Sequence, residues 1–89
     1  MSEFDWNDEK NEILEQTRGV CFEDVLVAIE NGQVLDVLRH PNQERYPDQK
    51  FMVLKIGDYV CLVPYVKTKG VRFLKTIIPS RKATKEYLP

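Results

Sequence analysis

Apolar residues recur at helical spacing in the first third of the chain and at strand spacing after it. Phe22, Val25, Leu26 and Ile29 fall at i, i+3, i+4 and i+7, one face of a helix, and Asn31-Gly32 behind them supplies left-handed C-cap chemistry. This helix should pack one face on a sheet. Ahead of it, residues 7–17 read as a first helix. Asp5 or Asn7 can cap it, Asp8 and Glu9 suit the positive end of its dipole, and Gly19 ends it. Its apolar face is thin: Trp6, Ile13 and Leu14.

Beyond Gly32 the helical period stops. Residues 34–38 read as a short strand, and residues 39–49, with His40-Pro41-Asn42 and Tyr46-Pro47-Asp48, as a long polar loop that prolines keep irregular. Residues 51–56 and 59–66 are strands joined at Gly57-Asp58, a two-residue hairpin turn. Residues 71–78 follow the turn Lys67-Thr68-Lys69-Gly70, so the last three strands form an antiparallel meander. Pro64 lacks an amide hydrogen, which places it at a sheet edge or a bulge. Ser80 caps a short helix from residue 81 to about residue 88. The order is two N-terminal helices, a four-stranded largely antiparallel sheet and a short C-terminal helix. That order is an α+β fold with the helices on one face of the sheet.

At 89 residues, 43% hydrophobic and 30% charged, the chain has the composition of one folded domain spanning residues 1–89. Met1-Ser2-Glu3-Phe4-Asp5-Trp6 has neither the basic start nor the apolar run of a secretory signal, and no window suits a membrane span, so a cytoplasmic protein is expected. Cys21 and Cys61 match neither a zinc spacing nor a disulfide framework and read as reduced thiols among apolar neighbours. No metal or cofactor is called for. Trp6, Phe22, Phe51 and Phe73 are assigned to the core.

The formal net charge of −1 hides a polarised chain. Residues 1–32 carry nine acids against Lys10 and Arg18, a balance of −7, whereas residues 64–89 carry seven bases against Glu86, a balance of +6. Salt screens charges beyond about 8 to 10 Å, so a local basic field can hold a phosphate backbone on a nearly neutral protein. In Pro79-Ser80-Arg81-Lys82-Ala83-Thr84-Lys85, two cations fall in the first turn of the last helix. The helix dipole disfavours cations there by a few tenths of a kcal/mol. A bound phosphate would reverse that sign; the plain alternative is a solvated basic helix end.

The residues also resemble a known pattern. Phe4-Asp5-Trp6 with Asp8 and Lys10, Gly19-Val20, and Phe22-Glu23-Asp24 opening the second helix resemble the amino-terminal pattern of the BrnT family of toxins. The isoleucine-rich stretch from Phe73 to Ile78, running into Ser80-Arg81-Lys82-Ala83-Thr84, is similar to that family's closing signature. The resemblance implies a RelE-like fold and a metal-independent endoribonuclease that slows translation. It also implies a DNA-binding, ribbon-helix-helix-like antitoxin as partner, with RNA as substrate and no part played by a membrane.

Metal-free RNA cleavage needs a base for the 2′-hydroxyl, cations for the phosphate and an acid for the leaving oxygen. Arg81 matches the signature arginine and is the first candidate for phosphate stabilisation, with Lys82 beside it. The family commonly places an acid and an arginine before an aromatic where this chain has Gln49, Lys50 and Phe51. Glutamine cannot act as a base, so Glu44-Arg45 a few residues earlier is the alternative pair. His40 is a further acid-base candidate because histidine is the residue type whose unperturbed pKa lies near neutrality. The expected RNA-binding surface comprises Lys67, Lys69, Arg72, Lys75 and Lys85, with Tyr65 as a stacking ring. Tyr46, Tyr59 and Tyr87 are further aromatics suited to unpaired bases. Two other readings remain open: an interaction module of the same fold that binds an antitoxin without cutting RNA, and an RNA-binding domain without cleavage.

Overall fold

The fold was obtained as a computed structural model, which describes residues 3–88. Helix α1 (Asp8–Arg18) starts where the Asn7 side chain accepts the Lys10 amide hydrogen at 2.9 Å, and ends at Gly19 in the left-handed region (φ 69°). Helix α2 (Phe22–Glu30) has Cys21, a poor cap, at its start. Two neighbours take over the amides that a cap would otherwise serve. Asp24 accepts from the Cys21 amide at 3.0 Å, and the Asn11 side chain, reaching across from α1, accepts from the Phe22 amide at 2.7 Å.

The sheet is mixed. Strand β1 (Glu3–Asp5) lies parallel to β5 (Val71–Leu74), and β5 continues antiparallel through β4 (Tyr59–Thr68), β3 (Gln49–Ile56) and β2 (Val34–Arg39). A two-residue strand β6 (Ile78–Pro79) also pairs with β4, and helix α3 (Arg81–Tyr87) closes the chain. The sequence-based description is therefore corrected in three respects. Among the described residues a strand precedes the first helix, the sheet has six strands with a parallel pair, and helices lie on both of its faces rather than one. The expected last strand splits after Leu74, where Ile77 leaves the ladder for the core and its carbonyl accepts from the Arg18 guanidinium.

Strand alternation sorts the core onto two faces. Met52, Leu54, Cys61, Val63, Tyr65 and Leu74 meet Leu14, Phe22, Val25 and Ala28 of the first two helices. Phe22 has no exposed surface and stacks on Trp6 at 5.6 Å; burying it contributes about 2 to 3 kcal/mol. On the reverse face, Val53 and Val60 pack against Ala83, with Leu62, Tyr87 and Leu88 around them. Helices thus cover both faces, because α3 carries an apolar stripe of its own.

Pro64 sits inside a central strand, not at an edge or bulge. Its position falls where the partner of β4 changes, between Tyr65 opposite Leu74 and Leu62 opposite Ile78. No ladder bond there requires the missing amide hydrogen. Phe51 and Phe73, expected in the core, are only half-buried and belong to the reverse face. Among the described residues, no helix is long and apolar enough to cross a membrane.

Candidate nucleic-acid interface

The register concentrates positive charge at one end of the sheet. Arg39 lies directly opposite Lys50, and Lys67 directly opposite Arg72. All four have the strand parity of Met52 and Val63, so they share the face that carries α1 and α2. Like charges directly opposite one another on a sheet face destabilise it, here twice over, by a few tenths of a kcal/mol or more per pair. An anion between the cations would offset that repulsion; within the chain, Asp48 beside Arg39, Lys50 and Lys67 and the Phe4 ring beside Arg72 offset part of it.

A polar cavity of about 390 Å³ opens at this end, lined by Arg39, Gln43, Pro47, Asp48, Lys50 and Lys67. The strands fix the three cations. The loop after β2 supplies the rest, and local contacts shape that loop: the Asn42 side chain accepts from the Arg45 amide at 3.2 Å, and the Tyr46 amide donates to the Asn42 carbonyl at 3.0 Å. Asp48 is the one carboxylate in the lining. Three cations can hold a phosphodiester by charge-assisted hydrogen bonds, the Gln43 amide can donate, and the Asp48 carboxylate can accept a proton.

Of the residues singled out in the sequence, Lys50 and Lys67 meet in this cavity, and Arg72 lies on the same face with its guanidinium 5.6 Å from the Phe4 ring centroid. Lys69 occupies the adjoining turn with φ 52°, a left-handed conformation better suited to asparagine or glycine. Tyr65 is 7% exposed and belongs to the helix-side core, so its assignment as a stacking ring is corrected.

The other candidates lie elsewhere. His40 is half-buried, its ring stacked on Phe51 at 5.4 Å and tilted against Tyr46 at 4.4 Å. Its Nδ1 accepts the Asn42 amide hydrogen at 3.0 Å, which leaves Nε2 to carry the proton of the neutral ring. Glu44 and Arg45 are exposed in the loop outside the cavity lining, and the Arg45 guanidinium lies over the Tyr46 ring at 5.6 Å.

Arg81 and Lys82 are exposed on α3, which packs on the reverse face from Lys50. Lys82 lines a groove of about 210 Å³ with Leu38, Val53, Leu62, Glu86 and Tyr87; Arg81 is not part of that lining. Lys85 is exposed on the same helix, and Lys75 lies over the Phe73 ring at 5.6 Å. The rest of the signature run has structural duties. The Ser80 hydroxyl accepts from the Ala83 amide at 3.1 Å, Ala83 is buried, and the Thr84 hydroxyl accepts from the Val60 amide at 2.9 Å.

Sequence reasoning missed Arg39, Gln43 and Asp48. Arg39 ends a strand that looked finished one residue earlier, and Asp48 is one of many polar loop residues. The opposed like charges become visible only once the strand register is known. No family model, no curated protein and no solved structure matches this chain.

Proposed function

We propose that this chain is a metal-independent endoribonuclease, the toxin component of a toxin-antitoxin pair, and that it holds the RNA backbone at the basic end of its sheet. The observation that carries the reading is the pairing of Arg39 with Lys50 and of Lys67 with Arg72 on one face, beside a cavity with a single carboxylate. The sequence resemblance to BrnT toxins, which implies RNA cleavage, supports the activity, while its signature Arg81 lies on the reverse face from Lys50 and supports no role in this cavity. Arg39, Lys50 and Lys67 bind the scissile phosphate and stabilise the charge that grows on it. Asp48 takes the proton of the 2′-hydroxyl as that oxygen bonds to phosphorus. The bond to the 5′-oxygen breaks, a lysine ammonium or water protonates the leaving oxygen, and a 2′,3′-cyclic phosphate remains. A DNA-binding antitoxin with an acidic segment is the partner, covering the basic surface in the cytoplasm.

The test is incubation of the purified protein with RNA in the presence of chelator. Cyclic-phosphate-ended fragments should form, and Lys50→Ala and Asp48→Asn should each slow their formation by about a hundredfold. Expression without a partner should stop bacterial growth, and the same substitutions should restore it. Intact RNA with correctly folded protein would refute cleavage.

A second reading is a module that binds an antitoxin without cutting. It is favoured by Gln49, which stands where a carboxylate was expected and pairs with Val66 in the sheet, and by the separation of Arg81 and Lys82 from Lys50. Unimpaired growth together with tight antitoxin binding would select it.

A further inference from the structure

Helix α3 covers only part of the reverse face of the sheet. It packs on Val53, Val60 and Leu62, and its Tyr87 hydroxyl donates to the Asp36 carboxylate of β2 at 3.0 Å, so that its groove reaches Leu38. Beyond them the register sets Leu38 beside Phe51 and Pro64 in one row, and Gln49 beside Val66 and Phe73 in the next. Leu38 is 41% exposed, Phe51, Val66 and Phe73 are half-buried, and Pro64 between them is buried. The loop adds His40 and Tyr46, so that Tyr46, His40 and Phe51 form a ladder of rings with Tyr46 outermost at 37% exposure.

Each end of this surface pairs a ring with a cation. The Arg45 guanidinium lies 5.6 Å from the Tyr46 centroid, and the Lys75 ammonium 5.6 Å from the Phe73 centroid; Asp5, the register partner of Phe73 on the same face, is the acid bordering the second end, and its carboxylate accepts from the Trp6 amide. A nucleotide offers the complementary set, a flat base for the ring and a phosphate for the cation. Lys82 extends the cationic border along the α3 groove, with Glu86 as the opposing charge in its lining. An apolar protein segment would use the rings but leave the paired cations without anions.

We infer that this open half of the reverse face binds unpaired bases of single-stranded RNA, with Tyr46 and Phe73 as stacking rings and Arg45 and Lys75 on the adjoining phosphates. The inference rests on the RNA reading above and assigns its substrate class. Base stacking needs splayed bases, which a duplex does not present. Neighbouring residues divide the work at the rim of the sheet. Arg39 and Lys50 face the cavity, whereas the residues that follow them, His40 and Phe51, face the rings. A strand crossing this rim meets cations on one side and aromatic surface on the other.

The test uses a fluorescent single-stranded oligonucleotide made of 2′-O-methyl ribonucleotides, which binds without being cut. It is compared with the same strand lacking bases at its central positions, and with its duplex, by anisotropy at fixed salt. The full single strand should bind roughly tenfold more tightly than either comparison strand. Tyr46→Leu should weaken it about tenfold while binding the base-free strand as the unaltered protein does, and Tyr46→Phe should restore affinity. Equal affinity for the full and base-free strands, or tighter binding of duplex, would overturn the inference, as would unchanged binding by both Tyr46→Leu and Phe73→Leu. Base-dependent binding without cleavage of ordinary RNA would sink the ribonuclease reading alone; cleavage with base-independent binding would sink this inference alone.

Discussion

Asn11 joins two helices through its two side-chain atoms. Its oxygen accepts from the Phe22 amide at 2.7 Å, and its nitrogen donates to the Glu23 carboxylate at 2.8 Å. Leucine at this position would leave a partly buried amide unsatisfied, at a cost of about 1 to 2 kcal/mol. Thermal unfolding of Asn11→Leu should show it as a lowered midpoint. The same contact predicts a pH dependence. Hydrogen bonding from Asn11 holds the Glu23 carboxyl below its ordinary value. The stabilisation it gives is therefore present above the ordinary carboxylate range and is lost as pH falls through the lowered folded value. Glu23→Ala should melt earlier than the unaltered protein near pH 7, and the difference should close in acid. A difference that persisted at low pH would show that Glu23 acts through packing.

At the scale of elements, α3 is held to the sheet by the hydroxyls of Thr84 and Tyr87 as well as by its apolar stripe. Thr84 accepts from the amide of Val60, a residue with no exposed surface, and donates to the Ser80 carbonyl at 2.7 Å. Valine is nearly the same shape but has no acceptor. Thr84→Val should lower stability by about 1 to 3 kcal/mol in a denaturant titration. A change within a few tenths would mean that Val60 finds another partner.

Elements with local signatures were legible in the sequence. The period of Phe22, Val25, Leu26 and Ile29 located α2, Ser80 marked the start of α3, and Gly57-Asp58 marked the hairpin. Strand β1 was not legible, because three residues give no period and its parallel partner begins at Val71, far along the chain. Pro64 misled for a related reason: its tolerance depends on where β5 stops and β6 starts. The charge of Lys50 and Lys67 could be read directly, but their convergence with Arg39 depends on strand register and on how the loop folds back. The signature run drew attention to Arg81 and Lys82, whereas Ser80, Ala83 and Thr84 within it serve the fold.

Across the whole molecule, the polarity of the sequence is rearranged rather than preserved. Strand β1 sets acidic Glu3 and Asp5 beside β5, yet their register with Val71 and Phe73 puts them on the face opposite Arg72. Basic residues from β2, β3, β4 and β5 thus gather on one face although they are scattered from position 39 to position 72. Under the proposed function, this gathering costs the free fold a few tenths of a kcal/mol per opposed pair, and a bound RNA backbone offsets that cost. The most direct measurement is the affinity of the unaltered protein and of Lys50→Gln for a single-stranded, uncleavable RNA at several salt concentrations. Lys50→Gln should bind more weakly, and the slope of log affinity against log salt should be shallower by about 0.7, one phosphate contact on a single strand. Equal slopes and equal affinities would show that Lys50 touches no phosphate and would contradict the account at its centre.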